Sequence, residues 1–175
     1  MARFAALAVL VLAVAPAVWP VSLLDQGETL LLDNKLREAA AVFEQALRQG
    51  ETDEKLYLYL GVIYEQLGES TRAVAVMSDG LMVARGAKPA LCLNIGNNLF
   101  RQGDYGAAQA MYTQAISLDP TMAAAYLNRA NTRLKTAAYA EAIGDYAVYL
   151  RLDPATPQRQ NIERVLALLS DMLAE

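Results

Sequence analysis

Histidine is absent from this 175-residue chain. That removes Ser-His and Cys-His nucleophiles, imidazole metal ligation and the one side chain that titrates unperturbed near neutral pH. Cysteine occurs once, at Cys92, which excludes an intramolecular disulfide and a cysteine-built zinc site. Cations are outnumbered, 15 Lys and Arg against 19 Asp and Glu, for a formal net charge of −4. No surplus of positive charge exists to displace counterions, so no nucleic-acid partner is expected. Glycine-rich phosphate loops and calcium-loop spacings are missing. The acidic residues are scattered, with no pair in an apolar setting that would raise a carboxyl pKa. No catalytic residue, cofactor or metal site is expected. At 19 % charged and 55 % hydrophobic, the chain is also too apolar to be disordered.

The N-terminus differs from everything after it. Arg3 is the sole charge before Asp25, and an apolar run leads from Phe4 to Ala15-Pro16-Ala17. A positive start, an apolar centre and an Ala-x-Ala site describe a secretory signal peptide over residues 1–17, cleaved after Ala17. The mature protein is then exported, to a periplasm or cell envelope. The alternative is an uncleaved membrane anchor over residues 4–24, whose 21 uncharged residues are just long enough to span a bilayer. Pro16 and Pro20 count against it, since each disturbs a continuous helix. No cysteine lies near the end of the segment, so a lipid-anchored maturation site is not expected.

The rest of the chain repeats. Gly27, Gly61, Gly96 and Ala130 are spaced 34, 35 and 34 apart, and the same intervals relate Ala39, Ala73, Ala108 and Ala142. They recur again through Phe43, Met77, Tyr112 and Tyr146, and through Ala46, Gly80, Ala115 and Tyr149. Within the third unit Cys92, Ile95, Gly96 and Leu99 fall at i, i+3, i+4 and i+7, one face of an α-helix. Ala108, Tyr112 and Ala115 mark a second helix. Gly103 lies between them and can take the positive φ that ends the first. Each unit therefore reads as a helical hairpin, its small residues allowing close approach. Cys92 falls on the buried face and is read as a core residue. Thr156-Pro157 reads as a helix start, followed by Ile162, Val165, Leu166, Leu169, Met172 and Leu173 on one face. That final helix, 157–175, is expected to cover the last hairpin, because a repeat buries its apolar face only against its neighbours.

The pattern Tyr57-x2-Leu60-Gly61-x2-Tyr64, with Ala73, Met77 and Gly80, resembles the tetratricopeptide repeat. So does Tyr126, Ala130, Tyr139, Ala142, Tyr146 and Pro154. The resemblance covers residues 20–156 as four units: 20–53, 54–88, 89–122 and 123–156. It implies an all-α, right-handed superhelical solenoid of four hairpins plus the capping helix. The sequence departs from the pattern at Leu23, where an aromatic is usual. It departs again at Arg85-Gly-Ala-Lys-Pro89, with one extra residue, and at Arg129 and Arg133, where Leu and Tyr are usual.

The resemblance further implies that the first helix of each unit lines a concave groove. Two sets of residues then face it. One is Asn94, Asn97, Asn128 and Asn131, whose carboxamides offer donors and acceptors for the backbone of an extended peptide, or else tie neighbouring helices together. The other is Leu93 and Leu127 with Phe100 and Leu134, an apolar floor for a ligand or else packing between repeats. Arg101, Arg129 and Lys135 add positive charge. The half of the groove from Leu93 to Lys135 is the expected surface for a protein or peptide partner. Chaperone-associated members grip a C-terminal carboxylate with Lys, Asn and Arg. Laid over the last three units, that set falls on Leu58, Val62, Asn94, Ala124 and Asn128, and only Asn94 matches, so a two-carboxylate clamp is not expected. The sequence thus reads as an exported, non-catalytic interaction scaffold. Alternatives are a membrane-anchored assembly factor and a carrier of a small apolar ligand. Self-association through the convex side or the final helix stays open.

Overall fold

A computed structural model describes residues 21–174; the signal-peptide reading therefore lies outside the described residues. Among these there are nine α-helices and no strand. They are α1 (Leu23–Leu32), α2 (Leu36–Arg48), α3 (Glu54–Gln66), α4 (Ser70–Val83), α5 (Lys88–Gln102), α6 (Tyr105–Leu118), α7 (Ala123–Lys135), α8 (Tyr139–Leu152) and α9 (Arg159–Ala174). Each helix packs on the next in chain order, and α3 also meets α5, as α5 meets α7. The odd-numbered helices α3, α5 and α7 thus stand side by side, with the even-numbered ones behind them.

Local chemistry sets the boundaries. Ser22, Asp53 and Asp104 cap their helices, accepting from the N–H groups of Asp25 (3.0 Å), Lys55 (2.9 Å) and Ala107 (3.0 Å). The turn inside every hairpin uses one left-handed residue: Asn34, Gly68, Gly103 and Ala137, at φ 58°, 78°, 82° and 58°. Alanine is the strained member of that column, because its Cβ crowds the following carbonyl. Ala137→Gly is expected to stabilise the protein by about 0.5–1 kcal/mol, read as a raised midpoint of thermal unfolding.

The core is a chain of small-to-large contacts. A Cβ added at Gly27 would stand 2.1 Å from the Phe43 ring, at Gly61 2.3 Å from Met77, and at Gly96 2.6 Å from the Tyr112 ring. These glycines let the two helices of a hairpin close on one large side chain. Cys92 is fully buried with Ala115 and Ala125, against Leu81.

The extra residue of the second unit lies in the link from α4 to α5. There the Glu54 carboxylate accepts from the backbone N–H groups of Arg85 (2.6 Å) and Gly86 (3.0 Å). Hydrogen bonds from Arg85 and then Ala87 hold its pKa below the usual carboxylate range. A depressed folded-state value means the bonds stabilise the link above the unfolded value and are lost as pH falls through the folded one. Amide exchange at Arg85 and Gly86, corrected for intrinsic rates, is expected to quicken over that acid window. In Glu54→Ala the same amides should be quick throughout and show no such step.

At the far end Ile162 and Leu169 are buried, and Ile162, Val165 and Leu166 pack against the cluster of Ala130, Ala142, Tyr146 and Tyr149. The helix begins at Arg159, two residues after the expected start. The Thr156 hydroxyl accepts from the Gln158 N–H at 3.3 Å, as a cap does, and is buried 2.6 Å from the Tyr149 hydroxyl; Pro157 and Gln158 form a turn before α9 begins.

Candidate functional site

A recess of about 260 Å³ opens between α5 and α7, lined by Glu65, Asn97, Phe100, Arg101, Tyr112, Asn128 and Asn131. The sequence predicts five of these as partner-binding residues, and Glu65 shares the groove-facing column of Phe100 and Leu134; Tyr112 reads from the sequence as core. Phe100 is half-buried on its edge, its ring tilted against Tyr105 at 5.3 Å between centroids.

Hydrogen bonds fix the amides. Asn97 Oδ1 accepts from the Tyr112 hydroxyl (3.0 Å) and from Asn128 Nδ2 (2.8 Å). One repeat later Asn131 Oδ1 accepts from the Tyr146 hydroxyl (2.6 Å). Burial pushes both tyrosine hydroxyls above their ordinary pKa, so they stay protonated and act as donors. Asn128 therefore bridges two units, while Asn97 and Asn131 each join the two helices of one unit.

Beside them, Arg101 pairs with Glu65 at 2.9 Å and donates to Asn98 Oδ1 at 2.9 Å. Asn98 is fully buried and donates in turn to Glu65 (3.1 Å) and to the Asn94 carbonyl (2.9 Å). Sequence reasoning passed over Asn98, because a single buried amide inside an apolar face carries no repeating signal.

The other candidates lie elsewhere. Asn94 donates to the Ala90 carbonyl of its own helix at 2.9 Å and does not line the recess. Leu93 packs on the cluster around Cys92, which joins the second, third and fourth units, and Leu127 on that around Tyr146, within the fourth unit and against α9. Lys135 is exposed at the end of α7. Arg129 turns away from the recess: its guanidinium grips Asp145 through two bonds (2.9 and 2.7 Å) and reaches Thr113 (3.1 Å). Arg133 donates to the same carboxylate.

A second polar cluster joins α2, α3 and α4. The Tyr64 hydroxyl is bonded to Glu44, while Arg72 bridges Glu44 (2.8 Å) and Glu69 (2.6 Å) with its guanidinium 4.1 Å above the Tyr64 ring. Among the described residues there is no group of three His, Cys, Asp or Glu side chains able to hold a metal ion.

Comparison with known proteins follows the same lines. The family model described as tetratricopeptide repeat matches residues 24–88 and 93–157. A DnaJ homolog subfamily C member 7 homolog of Schizosaccharomyces pombe is 26 % identical over 143 residues, covering 73 % of this chain and 30 % of that protein. The chain spans less than a third of the length of the curated relatives it matches. Among solved structures, the crystal structure of MamA protein superposes with a TM-score of 0.76 at 17 % identity, covering 85 % of this chain and 79 % of that one. YrrB, described as a TPR protein with an unusual peptide-binding site, superposes with a TM-score of 0.71 at 18 % identity, covering 81 % and 73 %. These likenesses establish the fold, a stack of helical hairpins.

Proposed function

The chain belongs to the tetratricopeptide-repeat family, and from that premise we propose that it is a non-catalytic scaffold that holds a segment of a partner protein in the recess between α5 and α7. The observation that carries this reading is the pair of groove amides, Asn97 and Asn131, held in place by tyrosines from behind. Packing between helices occupies Leu93 and Leu127, leaving Phe100 beside the amides in the recess, so recognition combines polar groups with one aromatic edge rather than a continuous oily floor. That favours a peptide over an enclosed apolar ligand. The peptide-binding site named for YrrB supports the same class of partner.

Export is part of the proposal and rests on the sequence of residues 1–17 alone. The partner is then a component of the cell envelope. If the apolar segment is retained instead, the array is presented at a membrane surface. No helix among the described residues is long and apolar enough to cross a membrane. Intact-mass measurement of the exported protein distinguishes these states, because cleavage after Ala17 removes the first 17 residues.

Crosslinked capture from the native envelope tests the binding reading. A partner taken by the wild type is expected to be lost from the Asn97→Ala/Asn131→Ala variant while its circular dichroism stays unchanged. Equal capture by a folded variant overturns the assignment of the recess.

A further inference from the structure

The groove amides and the tyrosines behind them occur together within this one chain. The units with Tyr112 and Tyr146 carry Asn97 and Asn131 in the groove column, whereas the units with Phe43 and Met77 carry Glu28 and Val62 there. Where the residue behind the column carries no hydroxyl, no amide stands in front of it; Glu28 instead accepts at 3.0 Å from Tyr59 of the next unit. The geometry explains the pairing. A carboxamide can present either its oxygen or its NH2 to a ligand, and the two ends differ little in shape. At Asn97 both oxygen lone pairs are taken, by Tyr112 and by Asn128. At Asn131 the oxygen receives Tyr146. Asn131 keeps one lone pair on that oxygen, but the NH2 group is the only free end at Asn97 and the end left wholly unbonded at both positions.

The charge of the recess narrows the ligand further. Its two ionised side chains, Glu65 and Arg101, neutralise one another at 2.9 Å, and its other lining residues are amides and aromatics. A site of this kind offers donors without a net positive field, which suits a neutral acceptor. A carboxylate would leave water for no compensating charge.

We propose, building on the peptide-binding reading above, that Tyr112 and Tyr146 are positioning residues that turn Asn97 and Asn131 into oriented donors for the backbone carbonyls of an extended, uncharged peptide segment. Neighbouring packed helices stand roughly 8–10 Å apart, about three residues of extended chain. The two donors thus address carbonyls about three residues apart, and the side chains between them are not read.

The test uses a 12-residue peptide, acetylated and amidated at its ends, selected from a random-sequence library on the full wild-type chain. The side-chain NH2 resonances of Asn97 and Asn131 are expected to move on binding. The amidated and free-acid forms should bind within about twofold of each other. Tyr112→Phe/Tyr146→Phe removes only two oxygens and is expected to weaken binding about tenfold with helix content unchanged. Asn97→Ala/Asn131→Ala should weaken it at least as much.

Wild-type affinity in the tyrosine variant with loss in the asparagine variant overturns the positioning role and leaves the groove reading standing. Wild-type affinity in the asparagine variant overturns both, as does a library that yields no peptide moving those two resonances. A strong preference for the free acid overturns the neutral-acceptor assignment. If the double tyrosine variant loses helix content, Tyr146→Phe alone decides the matter, since its partner Asn131 is already exposed.

Discussion

Asp145→Ala is expected to lower the stability of the protein by about 3–5 kcal/mol, the largest loss anticipated for any single substitution considered. The Asp145 side chain is 5 % exposed and receives two guanidiniums, those of Arg129 and Arg133, at 13 % and 18 % exposure. With the carboxylate removed, both cations remain buried with little more than a threonine hydroxyl, a main-chain carbonyl and the Tyr126 ring as partners. The cost comes from stranding those charges, not from losing a favourable pair. That distinction is itself testable. The equivalent positions of the third unit are Ile95, Leu99 and Met111. Copying them in as Arg129→Ile/Arg133→Leu/Asp145→Met replaces the whole ionic group by apolar side chains. Such exchanges are commonly neutral or stabilising, so the triple variant should unfold at a denaturant concentration equal to or above that of the wild type. A triple variant as weak as Asp145→Ala alone would show that the ion group stabilises the fold outright.

The second large effect belongs to the close-approach glycines, and its order matters more than its size. Gly27→Ala and Gly96→Ala drive a methyl into aromatic rings, Phe43 with contacts at 2.1–2.6 Å and Tyr112 at 2.6–3.0 Å. A ring pinned between two helices cannot bend aside, so the hairpin must open, at about 1–3 kcal/mol. Gly61→Ala meets Met77 at 2.3 Å, but a thioether chain has three rotatable bonds and can refold beside the methyl. Alanine's better helix propensity, about 1 kcal/mol, then offsets much of the remaining cost. Urea titrations should rank the losses Gly27 and Gly96 well above Gly61. Equal losses at all three would mean that the space itself, and not the stiffness of its occupant, sets the penalty.

Much of the fold was legible because the repeat states its own geometry. Columns of small and large residues at fixed intervals give two helical faces per unit, and Gly103 marks the turn between them. Local caps were less legible. Thr156 has the sequence of a helix start and its hydroxyl does accept from the Gln158 N–H, but it is also held by Tyr149, a contact seven residues away that no cap rule contains.

At the recess, spacing placed Asn94 and Asn97 on one face, but not where each side chain points. Asn94 turns back to the Ala90 carbonyl, while Asn97 is captured by a tyrosine on the following helix. The departures at Arg129 and Arg133 were visible as misfits. The residue that resolves them, Asp145, stands in a column otherwise held by Val42, Val76 and Met111. Three substitutions in three columns make one group only once the helices are laid side by side.

The buried thiol of Cys92 gives the molecule a clock of its own. It lies where α4, α5, α6 and α7 converge, and no other sulfhydryl competes with it. A reagent arriving from solvent can modify it only when the middle of the stack parts, whereas fraying of α1 or α9 leaves it shielded. The pace of alkylation therefore times the separation of the central repeats rather than the loosening of the ends, and a peptide lodged across α5 and α7 would slow it.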